Sequence, residues 1–320
     1  MSHINENVFC NVAFIGAGNM AKQHLRSFAD ISNVKLSGII SRTRSKAELL
    51  ASEFKIEGVY DSIGELFYNT KADLVVISVP ELNVREVCLE AFKYPWTCLI
   101  EKPAGYNFED AEIIYTAALT SNTKAFVALN RRLYSSTLSV LKELSTSNQT
   151  RLIHIFDQED TKAALSGGQP PLVVENWMYA NAIHLIDYLS ILGRGKVTSV
   201  EPIIKWNPLD PGFVMSKIMY DSGDIGIYEA VWNAPGPWSV TVTTQEKRWE
   251  LRPMEQAFFQ VHGSRTLQPF EIHPWDKQFK PGLRLQAQEA IKAALSQSNQ
   301  LPGLFDSLQS MNLIKQIYYC

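Results

Sequence analysis

Residues 8–20 read VFCNVAFIGAGNM, with Ala21 next in the chain. A short apolar run ends in glycines. The following AKQHLRSFADI has helical character, with Leu25 and Phe28 on one side. Gly16-Ala17-Gly18-Asn19-Met20-Ala21 is therefore a G-x-G-x-x-A turn between a strand and a helix. A tight turn that merely needs glycine is the plainer explanation. The context argues for more. Gly16 permits the turn, Gly18 lets the backbone approach a pyrophosphate, Ala21 permits close packing, and the helix N-terminus faces the phosphates. The stretch predicts a dinucleotide site whose first contacts are Gly16, Ala17, Gly18, Asn19 and Met20.

The same alternation continues outward. VKLSGIIS (34–41) reads as a second strand, RSKAELLASEF as a second helix and DSIGELFYN (61–69) as a short third. ADLVVISVP (72–80) is nearly all apolar, as a central parallel strand buried on both faces should be. NVREVCLEAFK reads as another helix and TCLIEKP (97–103) as another strand. This order predicts a doubly wound parallel sheet, with ligands at the carboxyl ends of its strands. Ser78, Val79 and Pro80 at one such end, with Asn83 beyond, are expected against the cofactor.

The second strand ends where an NAD-preferring site usually carries an acid for the ribose hydroxyls. Here Ser41 is followed by Arg42 and Arg44. A hydroxyl and two guanidiniums suit a 2′-phosphate, which arginine grips in a charge-assisted fork. The pattern favours NADP(H) over NAD(H), although a solvated basic loop would look the same. Glu101-Lys102-Pro103 closes TCLIEKP. A lysine at that strand end sits where ligands bind and can hydrogen-bond a substrate hydroxyl. The proline restricts Lys102 to an extended conformation and makes a cis bond possible.

Composition sets the bounds. The chain has 320 residues, 46% hydrophobic and 20% charged, with a formal charge of −3. Two domains are the default for this length. The charge leaves no field for a nucleic acid backbone. Cys10, Cys88, Cys98 and Cys320 are scattered, which reads as reduced thiols in a cytosolic protein with neither disulfides nor a metal site. MSHINENVFC lacks the pattern of a signal peptide, and no apolar run approaches the length of a membrane span. The expected location is the cytoplasm. His24, on the helix after the glycine turn, reads as a packing or surface residue.

In the second half, GDIGIYEAVWN (223–233), the turn APGP and WSVTVTTQEKRWEL (238–251) read as an antiparallel hairpin. Six of the seven tryptophans lie in this half. They suit a sheet core or dimer face as well as a sugar-stacking surface. The loop QEDTKAALSGGQPPLVVENW (158–177) can line or cover a substrate. NWMYANAIHLID (176–187) reads as a helix with Ile183, Ile186 and Leu189 at helical spacing. His184 lies in its middle, either as a satisfied core histidine or as part of an active site.

These stretches resemble the glucose–fructose oxidoreductase / inositol dehydrogenase / MocA family. The resemblance rests on the glycine turn at 16–21, ADLVVISVP at 72–80, EKPAG at 101–105, ALNRRLYSS at 128–136, HLIDYLSILG at 184–193 and the final helix FDSLQSMNLIKQIYY. It implies an α/β protein with a Rossmann domain at 1–129. A second α/β domain with a large, mostly antiparallel open sheet would follow at 130–320, and the last helix can pack back on the first. It implies an NAD- or NADP-dependent oxidoreductase acting on a sugar, sugar derivative or cyclic polyol, with copies pairing through the second sheet as dimer or tetramer. Lys102 and His184 are then the acid/base pair, Glu101 and Lys102 also border the cofactor, and Trp177, Asn181, His184 and Arg131 border the substrate.

Two departures stand out. In redox-active members an aspartate lies four residues before the histidine, and here that position is Ala180. Asn181 can orient the imidazole but cannot carry protons. Asp187 lies three residues beyond and suits a structural role. The family's P-N-x-x-H is replaced by Pro80-Glu81-Leu82-Asn83-Val84. The loss at Ala180 also suits a non-catalytic, dinucleotide-binding regulator, which the same family contains. Reduction of a non-sugar carbonyl or imine is a third reading.

Overall fold

The computed structural model describes residues 9–319. The expectations for the N-terminal stretch up to Val8 and for Cys320 lie outside them. Strand β1, Cys10–Ile15, is buried along nearly its whole length. Five parallel strands join it: β2 (Val34–Ile40), β3 (Val59–Tyr60), β4 (Leu74–Ile77), β5 (Thr97–Ile100) and β6 (Ala125–Val127). Their order is β3-β2-β1-β4-β5-β6, so the sheet reverses direction between β1 and β4. Every residue of β4 and β5 is buried, which explains their unbroken apolar sequences. The connecting helices are α1 (Asn19–Ala29), α2 (Arg44–Phe54), α3 (Ile63–Thr70), α4 (Val84–Ala91) and α5 (Phe108–Thr120). Two starts follow capping rules: the Ser62 hydroxyl accepts the Glu65 N–H, and Asn107 accepts that of Asp110.

The second sheet has eight strands: β7 (Leu152–Glu159), β8 (Val197–Ile204), β9 (Phe213–Tyr220), β10 (Ile225–Trp232), β11 (Ser239–Thr243), β12 (Lys247–Leu251), β13 (Phe258–Val261) and β14 (Gln268–Pro269). Their order is β14-β13-β12-β11-β7-β10-β9-β8. Only β7 and β10 pair in parallel. The helix Ile183–Leu192 packs across β7 and β11. Its Ile183, Ile186 and Leu189 are fully buried.

The chain divides into two compact units, with the crossing at Asn130/Arg131. Gln278–Leu308 belongs with the first unit, and the chain from Gln309 belongs with the second. Within the first unit the helix Leu283–Ala294 packs on α1, and Arg284 pairs with Asp30 at 2.7 Å.

Three expectations are corrected. The stretches 223–233 and 238–251 do not form one hairpin. β10 and β11 are separated by β7, and 238–251 is itself a hairpin of β11 and β12. Period-two alternation marks a strand but not its partner, and the Asn233–Trp238 connection crosses β7, where the Trp238 indole donates to the Gln158 carbonyl at 2.8 Å. The region 158–177 is not a plain loop: it begins inside β7 and holds short helices at Thr161–Ser166 and Pro171–Glu175. NWMYANAIHLID is not one uniform helix. Met178–Ala182 is a π-helical turn that leads into Ile183–Leu192, an irregularity that recurs at functional sites.

Among the described residues, no helix is long and apolar enough to cross a membrane. Cys10, Cys88 and Cys98 are free and buried. Burial pushes all three thiols up, Cys10 to about 12 with help from Asp73.

Candidate active site

In the first unit, a cavity of about 540 Å³ opens at the carboxyl ends of β1 and β4. Gly16, Ala17, Gly18 and Met20 line it from the β1 turn, Ser41, Arg42, Thr43 and Lys46 from the end of β2, and Ser78, Val79, Pro80 and Asn83 from the end of β4. Asn19, Arg44, Glu101 and Lys102, expected here from the sequence, do not line it.

The two glycines act differently. Gly16 has φ +113°, and a Cβ on it would lie 1.9 Å from the Ser78 carbonyl oxygen. It lets β1 and β4 approach. Gly18 caps α1 in an extended conformation, and a Cβ there would meet nothing within 4 Å. No side chain caps α1, and no acid stands in its first turn. The free N–H groups and positive dipole end of this helix therefore face open space, an arrangement suited to a pyrophosphate.

At the β2 end the charges are unequal. Arg44 is bound to Glu48 at 3.0 Å and to Asp61, and these bonds raise its pKa. Asp61 itself lines the cavity. Arg42 and Lys46 carry the remaining positive charge on this wall.

Beyond β5, the Lys102–Pro103 bond is cis. Glu101 is buried and engaged on both oxygens: His24 Nε2 lies 2.6 Å from Oε1, and the Lys102 backbone N–H donates to Oε2 at 3.2 Å. His24, fully buried on α1, thus belongs to the support of Lys102. The sequence contained both partners but nothing that linked positions 77 residues apart.

In the second unit, His184 is half-buried on the helix Ile183–Leu192. Asp187 is taken up by Arg132 in a two-bond fork of 2.8 and 2.7 Å and by the Ser310 hydroxyl at 2.6 Å. Arg131 lies over the Trp238 ring, 4.3 Å from its centroid. Asn181, in the π turn, donates to Glu159 Oε2 at 2.8 Å.

Glu159 was missed in the sequence. The inward face of β7 reads Ile153, Ile155, Asp157, Glu159, all fully buried. Two aliphatics give way to two acids at strand spacing, and that alternation was the available signal. Asp157 Oδ2 accepts the Tyr228 hydroxyl at 2.9 Å, and Tyr228 meets Tyr318 at 2.9 Å. Burial raises the Asp157 pKa to about 6 against the opposing Tyr228 and Arg131. Burial, then the charge of Asp157, raises Glu159 well above the usual range, with Asn181 and Trp177 opposing. Two buried carboxyls in contact cannot both stay ionised without a cation between them.

Residues 10–129 match the model of the GFO/IDH/MocA oxidoreductase family, described as an NAD-binding Rossmann fold. A glucose-6-phosphate 3-dehydrogenase from Bacillus subtilis is 26% identical over 138 residues, 43% of this chain and 38% of that protein. A 4-carboxy-2-hydroxymuconate-6-semialdehyde dehydrogenase from Sphingobium sp. is 22% identical over 71% of this chain and 73% of its own length. Among solved structures, a levoglucosan dehydrogenase in complex with NADH and levoglucosan has TM-score 0.80 at 17% identity, covering 96% of this chain and 95% of its own. A UDP-N-acetylglucosamine 3-dehydrogenase from Acidithiobacillus ferrooxidans has TM-score 0.79 at 14% identity, covering 98% and 97%. At these identities the structures establish the fold.

Proposed function

We infer that this chain, which belongs through residues 10–129 to the GFO/IDH/MocA oxidoreductase family, is a nicotinamide-dependent oxidoreductase acting on a sugar, sugar derivative or cyclic polyol. The observation that carries the inference is the uncapped N-terminus of α1, with open space over Gly18, facing the cavity at the sheet's switch point. Backbone N–H groups from Gly18 to Met20 would hold the pyrophosphate. Ser78 to Pro80 and Asn83 would flank the nicotinamide end. Ser41 and Arg42, with Lys46, would hold a 2′-phosphate, so the reading favours NADP(H). Arg44 would contribute less than the sequence suggests, because Glu48 and Asp61 neutralise it.

A nicotinamide held there would supply the hydride chemistry at the substrate carbon. The chain's own task is proton management. Lys102 donates a hydrogen bond to the reacting oxygen, with its backbone fixed by the His24–Glu101 pair. His184 takes the hydroxyl proton and returns it in the reverse direction. The sugar class is supported by three of the dehydrogenases named above, whose names give glucose-6-phosphate, UDP-N-acetylglucosamine and levoglucosan; the fourth is named for a muconate semialdehyde, which suits the non-sugar carbonyl reading. Lys102→Ala and His184→Ala should each lower turnover by about 10²–10⁴-fold while NADPH still binds. Near-silent variants would end the proton assignments.

Self-association through the second sheet and a cytoplasmic location belong to the same proposal. Ile203, Ile204 and Phe213 are apolar and exposed on β8 and β9, which supports the first. A non-catalytic regulator is the second reading, favoured by Ala180. Tight NADPH binding with no turnover on any carbonyl sugar would select it.

A further inference from the structure

An NAD-preferring site usually carries an acid at the end of β2 for the ribose hydroxyls, and here Ser41 stands in that place. The structure brings an acid to the same wall from the next strand. β2 and β3 pair in parallel with Ile40 opposite Tyr60. Ser41 and Asp61 are therefore the first residues beyond two partnered strand ends. Neighbouring strands lie about 4.8 Å apart, so the two residues leave the sheet side by side. Both line the cavity, together with Arg42, Thr43 and Lys46.

Asp61 is held in this place by its own helix. The Ser62 hydroxyl accepts the Glu65 N–H at 3.1 Å, and the Glu65 carboxylate reaches back to accept the Asp61 N–H at 3.1 Å. This reciprocal pair is a variant of the capping box, and it fixes the backbone of Asp61 at the start of α3. The Asp61 side chain is 69% exposed and pairs with Nη1 of Arg44. The Nε of the same guanidinium donates to Glu48, one turn along α2, at 3.0 Å. Arg44 is thus occupied from both sides.

A plainer account exists for an acid at this position. A negative charge at a helix start is favourable, and exposed ion pairs are common. That account explains the charge but not its seat. Neither a helix dipole nor a surface pair needs the carboxylate on the wall of the cavity, beside the groups suited to a 2′-phosphate.

On that wall one carboxylate acts in opposite senses on the two cofactors. A ribose 2′-hydroxyl is a donor, and a carboxylate accepts from it in a charge-assisted bond. A 2′-phosphate is a like charge, and a carboxylate repels it. Asp61 also keeps Arg44 from serving the phosphate.

We propose that Asp61 sets the cofactor preference of this chain. It accepts the adenosine ribose hydroxyls of NAD(H) and opposes the 2′-phosphate of NADP(H), so that a wall biased by Arg42 and Lys46 towards NADP(H) still admits NAD(H). Arg44 is the counter-ion of Asp61. The proposal rests on the dinucleotide reading of the cavity and is independent of the substrate and of the proton assignments.

The test is fluorescence titration of the full-length protein with NADPH and with NADH. Asp61→Asn keeps the size of the side chain and removes its charge. The residue is exposed, so the variant should melt like the parent. NADH should bind about 10-fold more weakly, the lower end of the loss of a charge-assisted hydrogen bond. NADPH should bind as tightly as to the parent or tighter, and its gain should shrink as salt is raised. The ratio of the two Kd should therefore move towards NADPH by about 10-fold or more. Glu48→Gln is the control. It removes the same charge and the other partner of Arg44, but Glu48 does not line the cavity. It should leave NADH binding unchanged.

An unchanged ratio in D61N, with both cofactors still bound, would overturn the role of Asp61 alone. Equal shifts in D61N and E48Q would overturn it as well, since net charge rather than placement would then be at work. A parent protein that binds neither nucleotide would overturn the dinucleotide reading and this proposal with it.

Discussion

Gly16 and Gly18 lie two residues apart, and their substitutions should have opposite outcomes. In Gly16→Ala the new Cβ would sit 1.9 Å from the Ser78 oxygen and 2.6 Å from the Ser78 carbonyl carbon. Both are backbone atoms at the end of β4, so the turn or the strand must yield by about 1.5 Å to reach an ordinary contact. The residue also has φ +113°, which costs a side-chain-bearing residue about 1–3 kcal/mol. Against a total stability of about 5–15 kcal/mol this is a large fraction. At about 2–4 °C per kcal/mol, Gly16→Ala should melt roughly 5–10 °C below the parent. Gly18→Ala meets nothing within 4 Å and needs no positive φ. It should fold as well as the parent, or gain about 0.4–1 kcal/mol from the stiffer unfolded chain. Its methyl would occupy the space over the α1 N-terminus. Losing one charge-assisted N–H contact there costs about 1.5–3 kcal/mol, which is about 10–10²-fold in Kd. NADPH fluorescence titration and thermal melting on the two variants read both numbers. If Gly18→Ala bound the cofactor as tightly as the parent, the cradle would be misassigned. If it melted early alongside Gly16→Ala, the open space over Gly18 would not exist.

Other expectations follow from the same geometry. Because burial raises the Asp157 pKa to about 6 and pushes Glu159 well above its usual range, the folded protein binds protons more tightly than the unfolded chain. Their contribution should therefore fall as pH rises from about 4 through about 6 and beyond, and the melting curve of Glu159→Gln should show a flatter slope over that range. Asp187→Ala would remove the two-bond fork to Arg132 and the acceptor of the Ser310 hydroxyl in a largely buried site, and should cost about 3–5 kcal/mol in denaturant unfolding. Arg42→Ala should weaken NADPH more than NADH. An unchanged ratio of the two affinities would refute the 2′-phosphate assignment.

The first sheet was legible because each of its signals is local. A buried parallel strand is apolar throughout, as at 74–77, and a glycine turn announces the helix behind it. A cavity does lie at the carboxyl ends of β1 and β4, the place where ligands of such sheets sit whatever the side chains are. The second sheet was only partly legible. β7 enters between β10 and β11 from far away in sequence, so the alternation at 225–251 showed strands without showing that they part. The site was least legible where it depends on one strand face meeting another element. In LIHIFDQE, charged letters late in a strand look like a solvent edge, yet the structure buries Asp157 and Glu159. The Glu101 side chain, expected against the cofactor, turns to His24. Arg44, read as a phosphate ligand, found Glu48 and Asp61 first.

The central claim is that this chain moves a hydride between a nicotinamide and a carbon of a sugar-like substrate, with His184 and Lys102 handling the proton. The most direct measurement is isotope transfer from NADPH deuterated at the nicotinamide C4 to a panel of keto sugars and oxidised cyclic polyols, followed by mass spectrometry of the products. The account predicts one deuterium in a single alcohol product, and its loss in His184→Ala and Lys102→Ala variants that still bind NADPH. Tight NADPH binding with no deuterium in any product, or undiminished transfer in both variants, would contradict it.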